Sequence, residues 1–133
     1  MNIFVSGKFE DRKEIKNLLV RLENLGHKIT YDWTDHIPIK PYIDNQELAN
    51  KYCVNELEGI LKCDVLIYLS DKKGTTLKME YGAALIRSLI EKYPIIYAVG
   101  EYNDASPWFF HENTRRRDSI EEVIEEISEI KAL

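Results

Sequence analysis

Apolar residues along this chain come in two rhythms. Short runs rich in β-branched residues recur at residues 2–6, 64–69 and 94–99, each followed by a serine or glycine, and each reads as a buried strand. Between them the apolar positions fall three and four apart, the spacing of a helix with one buried stripe. Ile15, Leu18, Leu19, Leu22 and Leu25 mark such a stripe over Asp11 to Leu25, with Gly26 as its stop. From His27 to Trp33 the pattern switches to alternation (Ile29, Tyr31 and Trp33 against polar residues), which predicts a second strand. Strand, helix and strand with tight connections make a βαβ unit, hence a parallel pair with a right-handed crossover.

The rhythm breaks from Thr34 to Ile43, where Pro38 and Pro41 exclude a continuous helix. A loop of this length is longer than the usual connection and suits a lid or binding loop. Helical spacing resumes from Asn45 to Leu61, then after the strand ending at Leu69 through Leu77, Tyr81, Ala84, Leu85 and Ser88 to about Lys92. Gly100 to Ser106 reads as loop, Trp108-Phe109-Phe110 as a short edge strand, and Arg115-Arg116-Arg117 as a solvated loop. Asp118 to Ile130 closes the chain as an amphipathic helix opened by a capping box, Asp118-x-x-Glu121. Alternating strands and helices give one α/β domain over residues 1–133, a three-layer Rossmann/flavodoxin-like fold with a mainly parallel sheet of four or five strands.

Composition narrows the picture in a few places. A formal charge of −5 argues against a general binder of nucleic acid or anionic membrane. No apolar run has the length of a membrane span, and the first residues are too short a run for a signal peptide. Two cysteines, Cys53 and Cys63, supply no disulfide framework and fit a reduced, cytoplasmic setting. Three scattered histidines lack metal-ligand spacing, so neither a metal nor an organic cofactor is expected.

Chemistry in an open α/β sheet collects beyond the carboxyl ends of the strands. The first strand delivers Ser6-Gly7-Lys8-Phe9 to that rim, the second Tyr31 to His36, the third Ser70-Asp71, and the fourth Gly100-Glu101. The helix after the third strand carries Glu80, followed by the small residues Gly82, Ala83 and Ala84 that let a ligand approach. Aromatics stack on planar ligands, while amides, helix N-termini and lysines hold phosphates. The rim therefore suits a nucleoside or nucleotide. Each residue also has a plain structural reading. Glu80 suits a helix surface near the positive end of the dipole, Trp33 a core position, Lys8 solvent, Asp32 a turn cap, and His36 an exposed loop.

In its motifs the chain resembles the nucleoside 2-deoxyribosyltransferase family, including relatives that hydrolyse nucleotide N-glycosidic bonds. The resemblance runs over nearly the whole length. It rests on Ile3-Phe4-Val5-Ser6-Gly7, Tyr31-Asp32-Trp33-Thr34, Cys63-Asp64-Val65-Leu66-Ile67 and, above all, the Gly74-Thr75 stretch leading to Met79-Glu80-Tyr81-Gly82-Ala83-Ala84. It implies that Glu80 attacks the anomeric carbon of a deoxyribose and forms a glycosyl ester that a second base or water resolves. It further implies an acid near the departing base, Asp32 or Asp71, with Asp32 preferred for its place in the matching motif. Trp33 would pack on the base, and Ser6, Gly7, Lys8 and Phe9 would hold the 5′ end. Assembly as a homodimer or larger oligomer is implied as well, a neighbour's His111-Glu112-Asn113 completing the pocket, although the same residues suit an ordinary surface loop.

Two departures stand out. Lys78 occupies a place where small residues are common, close enough in sequence to pair with Glu80. Gly7-Lys8-Phe9, with Arg12 nearby, replaces the Gly-Pro-Phe of transferases acting on free nucleosides and leans toward a 5′-monophosphate. Two other readings stand beside the enzyme: a nucleotide-binding module without turnover, and a signalling or scaffold domain on the same fold.

Overall fold

The structure, a computed structural model, describes residues 1–132 and the side chains of residues 1–130. Five strands form one sheet: β1 (Asn2–Ser6), β2 (Lys28–Ile29), β3 (Val65–Leu69), β4 (Ile95–Val99) and β5 (Thr114–Arg117). Their order is β2-β1-β3-β4-β5 and every neighbouring pair is parallel. The helices α1 (Arg12–Asn24), α2 (Gln46–Lys62), α3 (Thr75–Glu91) and α4 (Ile120–Ala132) cover both faces, a three-layer Rossmann/flavodoxin-like arrangement. None of these helices is long and apolar enough to cross a membrane, among the described residues.

The central strands are apolar on both sides because both sides are covered. Ile3 and Phe4 on β1, Val65 to Tyr68 on β3 and Ile96 to Ala98 on β4 have no exposed surface. On one face Arg21 of α1 makes a paired contact to Glu121 of α4, at 2.7 and 2.6 Å. On the other, Arg87 of α3 donates to the carbonyls of Ile60 and Cys63 at the end of α2, both at 2.7 Å. Those carbonyls belong to the last turn of α2 and its cap, so the arginine satisfies acceptors that the helix itself leaves open.

Gly59 sets how closely α2 approaches the sheet. A Cβ at that position would stand 2.9 Å from Phe4 Cδ2 and 2.9 Å from Tyr31 Cβ. Only the absence of a side chain lets α2 lie against β1 here, and with it the residues one turn earlier.

Several expected elements sit differently. The second strand pairs only at Lys28 and Ile29 instead of from His27 to Trp33. After Thr30 the chain turns inward, and the Trp33 indole N–H donates to the Val5 carbonyl at 2.7 Å, a bond that a continued strand would have supplied from its backbone. Trp108-Phe109-Phe110 is not an edge strand but part of a 3-10 turn, Pro107–Phe110. The edge strand is β5, which contains the arginine run expected to be a loop. Its side chains alternate as a strand requires: Arg115 and Arg117 lie over Tyr97, and Arg116 over Phe110 on the other face. The capping box of α4 is Ser119-x-x-Glu122, one residue later than expected. Glu122 accepts from the Asp118 and Ser119 amides, and Ser119 Oγ accepts from the Glu122 amide. Glu121 is left for Arg21.

Because the Gly59 contact is backbone-close and met by two side chains at once, Gly59→Ala forces α2 off the sheet. We expect a loss of about 1–3 kcal/mol in urea denaturation, with far-UV circular dichroism unchanged. A loss below about 0.5 kcal/mol, the level of an inconsequential surface change, would show that the helix seat is not set by this residue.

Candidate functional site

Strand order reverses between β1 and β3, and the crevice outside their carboxyl ends is the place where such sheets bind ligands. Ser6 ends β1 there, fully buried, and sits in register beside Tyr68 of β3. Paired residues of neighbouring strands project to the same face, here the face covered by α2 and α3. Glu80 reaches this spot from the second turn of α3, its Oε1 accepting the Ser6 hydroxyl at 3.0 Å. Only 8% of Glu80 is exposed.

Among the described residues, two buried side-chain oxygens have no hydrogen-bond partner: Glu80 Oε2 and Tyr68 Oη. Tyr68 lies on the same sheet face as Ser6 and packs against Tyr81 of α3 with ring centres 5.5 Å apart, its hydroxyl on the Asp71 side. Buried polar atoms in folded proteins are nearly always paired, so the open oxygen of Glu80 marks a place that wants a polar partner.

A second carboxylate faces the first. Glu56 lies on the sheet-facing side of α2, one turn before Gly59, and only 21% of its side chain is exposed. Burial pushes it up to about 7. Burial raises Glu80 to about 8, helped by the charge of Glu56 and opposed by the Ser6 hydrogen bond. Two acids that would ordinarily be ionised at neutral pH thus retain protons between them.

Glu56 is flanked by an aromatic group. His36 Nδ1 is 3.9 Å from Glu56 Oε1, and its Nε2 meets the Tyr31 hydroxyl at 2.5 Å. The imidazole stacks flat on Tyr52, centroids 3.5 Å apart and planes 3° from parallel. Burial lowers its proton affinity by more than Asp32 and Asp35 raise it, which favours the neutral ring. His36 is therefore held in place, where an exposed loop residue had been expected.

The other expected residues distribute as follows. Asp32 forms a close ion pair with Lys16, and its second oxygen accepts the Thr34 amide and hydroxyl at 2.8 and 2.5 Å. Burial pushes its carboxyl up, but the bonds from Lys16 and Thr34 prevail and hold it below the usual range. A carboxyl held ionised in this way is less suited to donate a proton than one that retains it. Trp33 is 5% exposed with its N–H bonded to the Val5 carbonyl, so its indole is a core element and offers no open face to a base. Asp71 accepts the amides of Lys73 and Gly74 at 3.0 and 3.1 Å and lies 3.8 Å from Lys8. The Lys73 bond first, and Lys8 in addition, keep its carboxyl low.

Gly7 makes room for Ile15, whose Cδ1 an added Cβ would overlap. Phe9 stacks under Arg12, 4.5 Å from guanidinium carbon to ring centre. Gly82 points away from Glu80, toward a cleft of about 580 Å³ that Met79 and Trp108 also line. Lys78 lines that same outer cleft and makes no ion pair with Glu80. Asn113 bonds the Ser88 hydroxyl at 3.2 Å, eight residues or about 12 Å along α3 from Glu80.

A further cleft of about 380 Å³ opens on the α1 and α4 side, between Lys8, Asp71, Ile15 and Ile120. Glu80 lines neither cleft. Among the described residues, no three His, Cys, Asp or Glu side chains are grouped to hold a metal ion. Compared with protein-family models, curated proteins and solved structures, the chain gives no match.

The raised carboxyls make stability depend on pH with a definite sign. Native Glu56 and Glu80 hold protons that the unfolded chain releases near 4.5. Their contribution is thus complete below about pH 4.5 and is lost as pH rises through about 7 and 8. Asp32 and Asp71, whose carboxyls are lowered, act oppositely and only under acid conditions. Urea denaturation of the parent protein is expected to show these groups' contribution falling from about pH 4.5 to about pH 8 and levelling off above that. In Glu80→Gln that decline is shallower. Parallel pH profiles for the two proteins would contradict a buried, proton-retaining Glu80.

Proposed function

We propose that this protein cleaves or exchanges the N-glycosidic bond of a 2′-deoxyribonucleoside or its 5′-monophosphate, with Glu80 as the nucleophile. The observation that carries the reading is the enclosed carboxylate, gripped on one oxygen by Ser6 and unpartnered on the other. A carboxylate in low dielectric is a strong electrostatic partner for an oxocarbenium-like centre. In the first step Glu80 Oε2 bonds to C1′ as the bond from C1′ to the base nitrogen breaks. The bonding pair leaves with the base, which takes a proton. In the second step water or another base attacks C1′ and gives up its proton to the group that protonated the leaving base, as the C1′–Oε2 bond breaks and its electron pair returns to Glu80.

Glu56 suits the proton donor better than Asp32. With values near 7 and 8, the Glu56–Glu80 pair carries about one negative charge slightly above neutral pH. In the free protein the higher value leaves the shared proton on Glu80 despite the Ser6 hydrogen bond, so attack on C1′ requires that proton to pass to Glu56 first. Asp32, already ionised against Lys16, has no proton to give. A homodimer, with nucleoside or nucleotide as its small-molecule partner, belongs to the same reading.

One observation favours a binding module without turnover: Glu80 is only 8% exposed and borders neither of the two clefts described above. Turnover separates the two. Incubation with a panel of deoxynucleosides and monophosphates, followed by peptide mass spectrometry, is expected to find a deoxyribosyl adduct on Glu80. Added free base yields exchanged nucleoside from a transferase and only free sugar from a hydrolase. Glu80→Gln abolishes turnover, Glu56→Gln slows it by about 10²–10⁴, and Asp32→Asn leaves it within about tenfold. Absence of any turnover, with ligand affinity equal in the parent and Glu80→Gln, would establish the binding module instead.

A further inference from the structure

Away from the sheet, α2 and α3 are apolar a second time: Val54, Leu57 and Leu61 on α2 and Met79, Ile86 and Ile90 on α3 are exposed. The outer seam of α3 begins, at Met79, in the cleft of about 580 Å³ between the start of that helix and the turn Pro107–Phe110. This cleft combines an aromatic wall, a bare floor and an unpaired cation.

The wall is Trp108. Its indole is 59% exposed, yet its backbone is held on both sides. The Ser106 hydroxyl accepts its amide at 3.2 Å, and Tyr81, itself buried, donates from its hydroxyl to the Trp108 carbonyl at 2.7 Å. The next residue, Phe109, is sunk in the core against Tyr81, ring centres 5.0 Å apart. A ring on so firm a mount loses little freedom when something stacks on it. The floor is Gly82. A Cβ there would stand 3.9 Å from Trp108 Cζ3 and otherwise in open space. Glycine inside a helix costs about 0.5–1 kcal/mol relative to alanine, and here it leaves a slot beside the indole.

The charge is Lys78, exposed on the same helix face one turn before Gly82, about 6 Å along the axis. It forms no ion pair among the described residues, and the first turn of α3 holds no acid. A second cation lies on the same side of the sheet. Arg115 and Arg117 pair with Glu126 of α4, whereas Arg116 has no acidic partner and sits 4.1 Å from the Phe110 ring centre. Its face is that of Thr114, whose hydroxyl meets Tyr81 Oη at 2.6 Å. In a chain of net charge −5, two unpaired cations thus share a side with one exposed tryptophan. A neutral apolar occupant would bury Lys78 without a partner. An anion lacking a ring would leave the indole in water.

We propose that this cleft binds a flat aromatic anion, its ring stacked on Trp108 above Gly82 and its phosphate or carboxylate on Lys78, with Arg116 adding attraction at longer range. The site lies on the outside of α3, away from Glu80, and is independent of the glycosyl-transfer reading.

The two tryptophans make binding readable by fluorescence, because Trp33 is buried and Trp108 is not. Adenosine monophosphate and 2-naphthoate are the probes, with adenosine and inorganic phosphate as controls. At least one anion is expected to quench Trp108 with a dissociation constant of about 1 mM or below. Each control binds about tenfold more weakly or worse. The tighter of the two anions identifies the source, a nucleotide or an aromatic acid. By calorimetry, Trp108→Ala weakens binding about tenfold or more, and Lys78→Ala weakens it several-fold and flattens its salt dependence. Gly82→Leu favours the helix and fills the slot, so it abolishes binding with circular dichroism unchanged. Glu80→Gln leaves binding as it was. No binding of either anion, equal binding of adenosine, binding that survives Gly82→Leu, or binding lost in Glu80→Gln would each overturn the proposal. So would Trp108 emission that responds to protein concentration and to neither anion, the mark of a cleft closed by another copy.

Discussion

The hydrogen bond from Ser6 to Glu80 is the contact on which the site depends. It joins the end of the first strand to the third helix across 74 positions in sequence, at the one place where the strand order reverses. A carboxylate so enclosed opposes folding unless it is protonated or paired. Here the Ser6 hydroxyl pairs one oxygen, and burial answers the other by raising its proton affinity. The surrounding sheet supplies the stability that this arrangement withholds, because the strands on either side are buried throughout. A rigid, apolar frame holding an unsatisfied polar centre is the usual mark of a site kept for a ligand.

The carboxylate pair follows from how the second helix is seated. Gly59 brings α2 against Phe4 and Tyr31, and one turn earlier this seat carries Glu56 inward toward Glu80. Tyr31, His36 and Tyr52 then close around Glu56 from the strand and the following loop. Strand end, loop and two helices thus contribute one residue or more each, and no single segment contains the site.

Much of this could be read from the residues, and the shortfall has physical causes. The alternation of runs predicted the parallel α/β architecture because buried strands and one-sided helices leave strong periodic marks. Glu80 and Ser6 were legible as rim residues since the rim follows from strand direction. Glu56 was not singled out, although the signal existed: a carboxylate on the stripe with Tyr52, Gly59 and Ile60 that faces the sheet. A charge on a buried stripe is the trace of a functional acid, but in sequence it is hidden by the ambiguous period of α2, which is apolar on two sides. Asp32 drew the role instead because its motif was conspicuous. Its partner Lys16, a full helix away, cannot be inferred from local pattern. The arginine run misled for a related reason, since charged residues suit an edge strand whenever aromatics such as Tyr97 and Phe110 lie beneath them.

The double-sided character of α2 and α3 ties these points together. A helix with one apolar stripe needs only the sheet, and α1 and α4 fit that description. A helix with two must be covered twice or leave one face in water at a continuing cost in solubility. On α3 the sheet-facing stripe carries Glu80 and the outer seam begins at its neighbour Met79, so whatever covers the seam also limits how α3 moves. Glu80 is only 8% exposed, so seating a nucleoside against it requires some displacement of α2, α3 or the segment that carries His36. The segment from Thr34 to Asn45 is tied to α2 by the His36 stack on Tyr52, by His36 beside Glu56, and by the Ile37 amide to the Tyr52 hydroxyl at 3.2 Å. Opening there would release His36 from Tyr52 and expose Glu56 first. The acid would thereby meet the leaving base before the nucleophile meets the sugar.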